Sequence, residues 1–414
     1  MNVPAIALSS RALGLRGPRP AIAALGCAFA ILPFSPALIE LTAIEPPGVA
    51  VMPRALAQVL LVALLLLGAA AFAATRARAA AAAGSIAAPV AAYAGSWALA
   101  AAFGVDPLTG AWYVVAIALA AALHLAIART YAAGAAATIF GAFLASGLGV
   151  SLLGLAMVAT RTPAAAYAVA HGRAVGTFLV PGEFAGYLLF LVPVAFGVAL
   201  CARGRWLRFV AMSSAAAGLV ALWATYSRAG WYGLSVGAAL LVFVRYRKPA
   251  VAFGLIAALA LEAVWLLGFN DHHNPSEEYS RIPIWIASLR AFSLFPLTGV
   301  GPGGFRELFP GLRPPGDLTV AFHPHGYVLE ACVETGACGL AALAFLWCSF
   351  ARSFAARLRD ATATARTLGL AFAAAFVATW VQAGVDCIHV LELGAWIPFM
   401  ALALEATRHG LGDA

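Results

Sequence analysis

Uncharged apolar runs of about 20 residues recur along this chain, and they limit the folds open to it more than any other feature. Runs such as Ala111 to Ile127, Phe184 to Leu200 and Leu368 to Val385 carry no Asp, Glu, Lys or Arg. About 20 such residues span the hydrocarbon layer of a bilayer as a helix, whereas a barrel strand needs only ~9 to 11. The whole chain is 63% hydrophobic and 10% charged, against roughly 25% charged in soluble domains. Water cannot solvate that surface, but a bilayer accepts it if every backbone group is bonded within its own segment. The expected fold is therefore all-α: a polytopic integral membrane helical bundle with about 12 transmembrane helices.

The spans expected fall near residues 21–38, 55–74, 86–103, 111–127, 135–159, 184–200, 209–225, 231–244, 250–268, 333–350, 368–385 and 393–404. Residues 1–414 form one membrane domain, and residues 269–332 form a loop or cap between the ninth and tenth helices, with short helices of its own. With the N-terminus inside, the inner loops carry most of the 25 Lys and Arg, but only Asp360, Glu405 and Asp413 of the 17 acids. That asymmetry follows the positive-inside tendency and predicts cytoplasmic termini. It explains the net charge of +8 without a nucleic-acid partner. It also places the long loop, the Ser227–Arg228 junction and the 161–183 connection on one outer face.

In a chain so poor in charge, polar intervals between spans are where chemistry is expected. Arg228, in ATYSRAGWYG, reads either as a snorkelling helix end or as an anion clamp, with Tyr226 and Ser227 adding hydrogen bonds to paired phosphate oxygens. Arg173 and Glu183 flank a glycine-punctuated approach to the sixth span. Arg281 opens SRIPIWIASL, a segment apolar enough to pack on the bundle or lie along the interface. FPLTGVGPGGF reads first as a sharp chain reversal and second as a set of backbone donors for an anion. In FHPHGYVLEACVETGACG, a neutral His325 is suited to take a proton from an attacking hydroxyl, with Glu330 or Glu334 fixing its tautomer or nearby backbone. His323 competes for that role. His-x-His alone is a weak metal signature. His272 and His273 read as surface residues, Glu262 as an acid within an apolar span, and Asp386, His389 and Glu392 as a further outer polar cluster. The six cysteines show no CxxC spacing and read mostly as small core residues. No phosphate loop with GKS/T and no HExxH is present.

Taken together, GTF-x-x-P-x-x-F-A-x-Y-L after Arg173, SR-x-G at Ser227 to Gly230, R-x-x-x-W at Arg281 to Trp285, GVGPGGF at Gly299 to Phe305 and E-x-G-x-x-G-L at Glu334 to Leu340 resemble the O-antigen ligase and polymerase superfamily. Those proteins are multispanning bacterial enzymes of surface polysaccharide assembly. The histidine motif departs from the usual HN-x-YL: His325 to Leu329 reads HGYVL. The resemblance implies glycan transfer on the periplasmic side of the inner membrane from a polyprenyl-diphosphate-linked donor. The acceptor is lipid A core, a growing glycan or a protein. It assigns Arg228 and Arg281, with Arg173, to the diphosphate and His325 to the acceptor hydroxyl, and it implies no nucleotide, metal or other cofactor. A transporter of a lipid-linked or anionic solute, or a catalytically altered structural subunit, is the alternative reading.

Overall fold

The computed structural model describes residues 19–34, 86–131, 134–178, 180–249, 281–317, 323–384 and 396–411, with the single positions Val251, Phe253, Gly254, Ile256, Ala321 and Gly394. The expected spans at 55–74 and 250–268, and the candidates Glu262, His272, His273, Asp386, Cys387, His389 and Glu392, lie outside the described residues. Among the described residues every regular element is helical. In chain order these are α1 (Arg19–Ile31), α2 (Ala87–Phe103), α3 (Pro107–Thr130), α4 (Ala135–Thr160), α5 (Ala164–Val169), α6 (Pro181–Cys201), α7 (Arg205–Ala224), α8 (Arg228–Tyr246), α9 (Arg281–Leu294), α10 (Phe305–Leu312), α11 (Tyr327–Asp360), α12 (Ala363–Ala383) and α13 (Trp396–His409). Six of them, α3, α4, α6, α7, α11 and α12, are long and apolar enough to cross a membrane.

Where each helix sits follows from how its apolar residues are distributed. A helix apolar on all sides belongs in the middle of a bundle, and α6 and α13 occupy that place, with Trp396 through Thr407 buried without a break. Phe399 of α13 packs edge to face against Phe29 and Phe143, at 5.6 and 5.1 Å between ring centroids, and stacks on Phe190 at 4.9 Å. Around this pillar α4 packs on α7, α7 on α6, α6 on α12 and α12 on α8, while α3, α2 and α11 follow one another on the other side. Outward faces remain apolar: Phe209 and Met212 of α7 are exposed, as a bilayer-facing surface requires. Lipid tails do not drive helices together, so close packing must. Gly233 and Gly237 of α8 meet the carbonyls of Ala378 and Ala374 of α12, and a Cβ at either glycine would collide with them.

The bundle has two chemically different ends. At one lie Arg203, Arg205, Arg208, Arg247, Lys248, Arg359 and Arg366, and there Arg357 pairs with Glu405 at 2.9 Å. At the other, the α2–α3 turn, the 161–180 segment, the α7–α8 junction and the start of α11 come together. The cap segment sits at this second end and carries its own small core, built from Ile284, Ala287, Ala291, Val300, Phe305, Phe309 and Val333. The described parts of the long loop, the Ser227–Arg228 junction and the 161–183 connection thus meet at one end of the bundle.

Two expectations need correction. The tenth span was expected to begin near Val333, but α11 begins at Tyr327 and breaks at Gly336 (φ 63°, ψ −164°). The break frees carbonyls and amides that pair with the cap, through Val300 N to Val333 O, Gly301 N to Glu334 O, Ala337 N to Pro296 O and Cys338 N to Leu297 O. The five described cysteines are also not core residues. Among the described residues Cys27, Cys338 and Cys348 are exposed, with Cys201 and Cys332 half-buried. A bilayer-facing surface is as apolar as the interior, so a small apolar side chain is accommodated on either.

Candidate functional site

The first cluster forms around the α7–α8 junction. Helix α7 ends at Ala224, and the chain turns through Thr225 and Tyr226, the latter left-handed at φ 49°. Ser227 then caps α8, its hydroxyl oxygen accepting from the Gly230 amide at 3.2 Å. The serine is buried, so its first duty is to start the helix that begins at Arg228. Arg173 reaches this turn from the preceding connection: its Nε donates to the Thr225 carbonyl at 2.8 Å, and the neighbouring Ala174 amide donates to Ala224 O at 2.8 Å. Arg173, Tyr226, Ser227 and Arg228 are thereby gathered in one place. The Nε edge of the Arg173 guanidinium is thus tied to the backbone of the α7–α8 turn.

The second cluster forms where the cap meets α11. His325 adopts a left-handed backbone (φ 51°), and its ring lies 4.3 Å from that of His323. Trp285 of α9 donates its indole N–H to the His325 carbonyl at 3.2 Å. Arg281 and Trp285 are four residues apart and share one face of α9, so the bond that anchors α9 on the histidine loop also brings Arg281 to this cluster. Tyr327 is buried below, its hydroxyl 2.6 Å from that of Tyr93 on α2. Glu330 is buried one turn into α11, and its amide donates to Gly326 O at 2.8 Å.

Both clusters border the C-terminal end of α12. Helices α8 and α12 run antiparallel with Gly233 opposite Ala378 and Gly237 opposite Ala374. Continuing that register brings Arg228 level with Ala383. Gly326 faces the carbonyl of Gly384, the next residue, at a separation that leaves room for a Cβ 3.6 Å away. Gln382 donates to Gly182 O at 2.6 Å and ties α12 to the start of α6.

Glu334 ties α11 to the cap. Its Oε1 accepts from the Gly303 amide at 2.9 Å. The other loop amides are also committed: Gly299 to Phe295 O, Val300 to Val333 O, Gly301 to Glu334 O and Gly304 to Gly301 O. Pro302 has no N–H. GVGPGGF is thus a chain reversal locked onto the break in α11, and the anion-cradle reading of its backbone donors is set aside. GTF-x-x-P-x-x-F-A-x-Y-L is likewise a packing element: Phe178, Phe184 and Tyr187 are buried against one another, with centroids 5.6 and 5.4 Å apart, and Thr177 bonds Pro33 O at 2.6 Å. Among the described residues no group of three His, Cys, Asp or Glu is arranged to hold a metal ion.

Sequence reasoning did not find the apolar cavity beside Arg228. A space of about 780 Å³ opens between α6, α7, α8 and α12, lined by Phe196, Leu200, Leu219, Leu234 and Leu241 among others. At the end next to Arg228 it is bounded by Trp223 and Trp231, which pack edge to face at 5.6 Å. Gly197 and Ala371 form its floor, where α6 and α12 pack so closely that a Cβ at Gly197 would overlap Ala371. Apolar runs look the same in sequence whether they close against a neighbour or stand apart from it.

Fold and site together define a multi-pass helical membrane protein with arginines and histidines collected at one end. Residues 213–344, about a third of the chain, match the family model described as O-antigen ligase, and this segment is similar to that family. The match covers the second half of α7, α8, the cap and the first part of α11, and so contains Arg228, Arg281 and His325. No curated protein matches the chain.

Proposed function

We propose that this protein transfers a glycan from a polyprenyl-diphosphate donor to an acceptor hydroxyl on the periplasmic face of the bacterial inner membrane. The observation that carries the reading is the adjacency of the apolar cavity to Arg228. A polyprenyl diphosphate is a long hydrocarbon ending in a dianionic group, and an apolar cavity bounded by Trp231, one turn of α8 from Arg228, suits both parts. Arg228 and Arg281 each sit at the first turn of a helix, so the positive ends of α8 and α9 add to the side-chain charges. Arg173, held at the same turn as Arg228, supplies further donors.

In the reaction the acceptor oxygen attacks the anomeric carbon of the donor sugar and its proton passes to the imidazole of His325. The bond from the anomeric carbon to the phosphate oxygen breaks, and the polyprenyl diphosphate leaves with the electron pair. Negative charge grows on that leaving group, where the arginines stabilise it in the transition state more than in the ground state. His325 directs and deprotonates the acceptor. Basic residues at the opposite end of the bundle favour a cytoplasmic location for that end by the positive-inside tendency, which turns the arginine and histidine end outward. Lipid A core, a growing glycan and a protein hydroxyl are the acceptor classes.

The test is incubation of purified protein in lipid micelles with a labelled polyprenyl-diphosphate oligosaccharide and each acceptor class, with product linkage read by mass spectrometry and NMR. A new glycosidic bond to one acceptor is expected. Movement of intact donor across proteoliposomes with no new bond would instead identify a transporter.

A further inference from the structure

We propose that Trp285 is a positioning residue for His325 and that it fixes the distance between the two halves of the reaction. The proposal rests on the transfer reading above. Its structural basis is the hydrogen bond from Trp285 Nε1 to the His325 carbonyl at 3.2 Å, made across 40 residues of sequence between helix α9 and the loop before α11. His325 has φ 51°, a conformation that a residue with a side chain keeps only when its surroundings hold it. The carbonyl that Trp285 grips belongs to the same residue, so the bond sets the plane of the peptide leaving His325 and hence the direction of its side chain. On the other side of that peptide, Gly326 O accepts from the Glu330 amide at 2.8 Å and fixes the start of α11.

Arg281 lies one turn earlier on α9, about 6 Å along the axis and on the same face as Trp285. A single rigid turn therefore carries both the arginine assigned to the diphosphate and the strut that aims the imidazole. Buried Ile284, Ala287 and Ala291 hold the adjoining face of α9 in the cap core. The turn cannot slide relative to α11 without breaking that core. Donor and acceptor groups are thereby spaced by covalent helix geometry instead of by loop conformation.

The test is a double-mutant cycle on the full-length protein, with turnover of a labelled polyprenyl-diphosphate oligosaccharide as the readout. Trp285→Phe keeps an aromatic ring and removes the N–H. Loss of one net hydrogen bond predicts a fall in kcat of about three- to tenfold, with donor KM unchanged because the arginines are untouched. In a His325→Ala background the same substitution is expected to have no further effect, since its action runs through the imidazole. Trp285→His, which retains an N–H donor, is expected to keep more of kcat than Trp285→Phe and serves in its place if the latter does not fold. Unchanged kcat in both variants, or an equal loss in the two backgrounds, overturns the proposal. A wild-type protein with no transferase activity contradicts the functional reading instead. The strut is then tested by the imidazole ¹⁵N resonances of His325, which Trp285→Phe is expected to shift and whose constancy overturns it.

Discussion

Replacing Gly336 with alanine tests whether the break in α11 organises the cap. Its backbone, at φ 63° and ψ −164°, lies in a region reserved almost entirely for glycine, where a side chain costs about 1–3 kcal/mol. A Cβ there would also overlap the Leu297 carbonyl and the Gly299 amide. Relief of that overlap must separate the two segments joined by Val300 N–Val333 O, Gly301 N–Glu334 O, Ala337 N–Pro296 O and Cys338 N–Leu297 O, at 2.9, 3.0, 2.8 and 3.2 Å. With two of these bonds lost at about 0.5–1.5 kcal/mol each, the expected destabilisation is about 2–6 kcal/mol. Gly326→Ala is the matched control. Gly326 has an extended backbone at φ 166°, and its added Cβ meets nothing nearer than 3.6 Å. The assay is unfolding in detergent micelles followed by tryptophan fluorescence, with both variants purified alongside the parent. Gly336→Ala is expected to unfold well below the parent and Gly326→Ala beside it. Equal midpoints for the two variants would refute the account of the cap.

Three further outcomes follow from the same geometry. Ser227→Ala removes the cap bond to Gly230 N and is expected to destabilise the protein by about 0.5–2 kcal/mol, read as a lowered unfolding midpoint. Ala238 lines the apolar cavity, so Ala238→Trp is expected to raise KM for a long-chain polyprenyl donor while leaving a short-prenyl analogue nearly unaffected; equal effects on both would separate the cavity from the lipid. Asp106 caps α3 by accepting from the Leu108 and Thr109 amides at 3.2 and 3.1 Å. Hydrogen bonds from the Thr109 hydroxyl and these amides hold its carboxyl below the usual range. A depressed folded pKa gives stability that is present above the unfolded value, near 3.9, and lost as pH falls through the folded one. The stability gap between the parent and Asp106→Asn is therefore expected to be constant above about pH 5 and to shrink below about pH 4.

Much of the fold was legible because the bilayer imposes a length rule that can be read locally. Ten of the expected spans overlap described helices, and the start of α8 at Ser227–Arg228 is visible as a serine before an apolar run. The apolar character of SRIPIWIASL was also legible as a segment that packs on its surroundings, though not that Arg281 opens a helix there. What escaped were relations between distant residues. Nothing near Trp285 in sequence points to His325, and nothing near Tyr93 points to Tyr327, 234 residues away. Nothing near Glu334 in sequence points to Gly303, 31 residues back, whose amide donates to its carboxylate. The glycines of GVGPGG invited a ligand-binding reading for the same reason: glycine permits close approach, and the sequence does not say whether a ligand or the chain itself makes it.

The central claim is that Arg228 and Arg281 hold the leaving diphosphate of a lipid-linked glycan donor. Its most direct measurement is the rate of glycan transfer from a labelled polyprenyl-diphosphate donor by Arg228→Ala and Arg281→Ala, each first verified as folded and membrane-inserted. Both variants are predicted to lose transfer by at least about a hundredfold, the scale of removing a charged group from a developing anion. Near-normal transfer by both would contradict the claim.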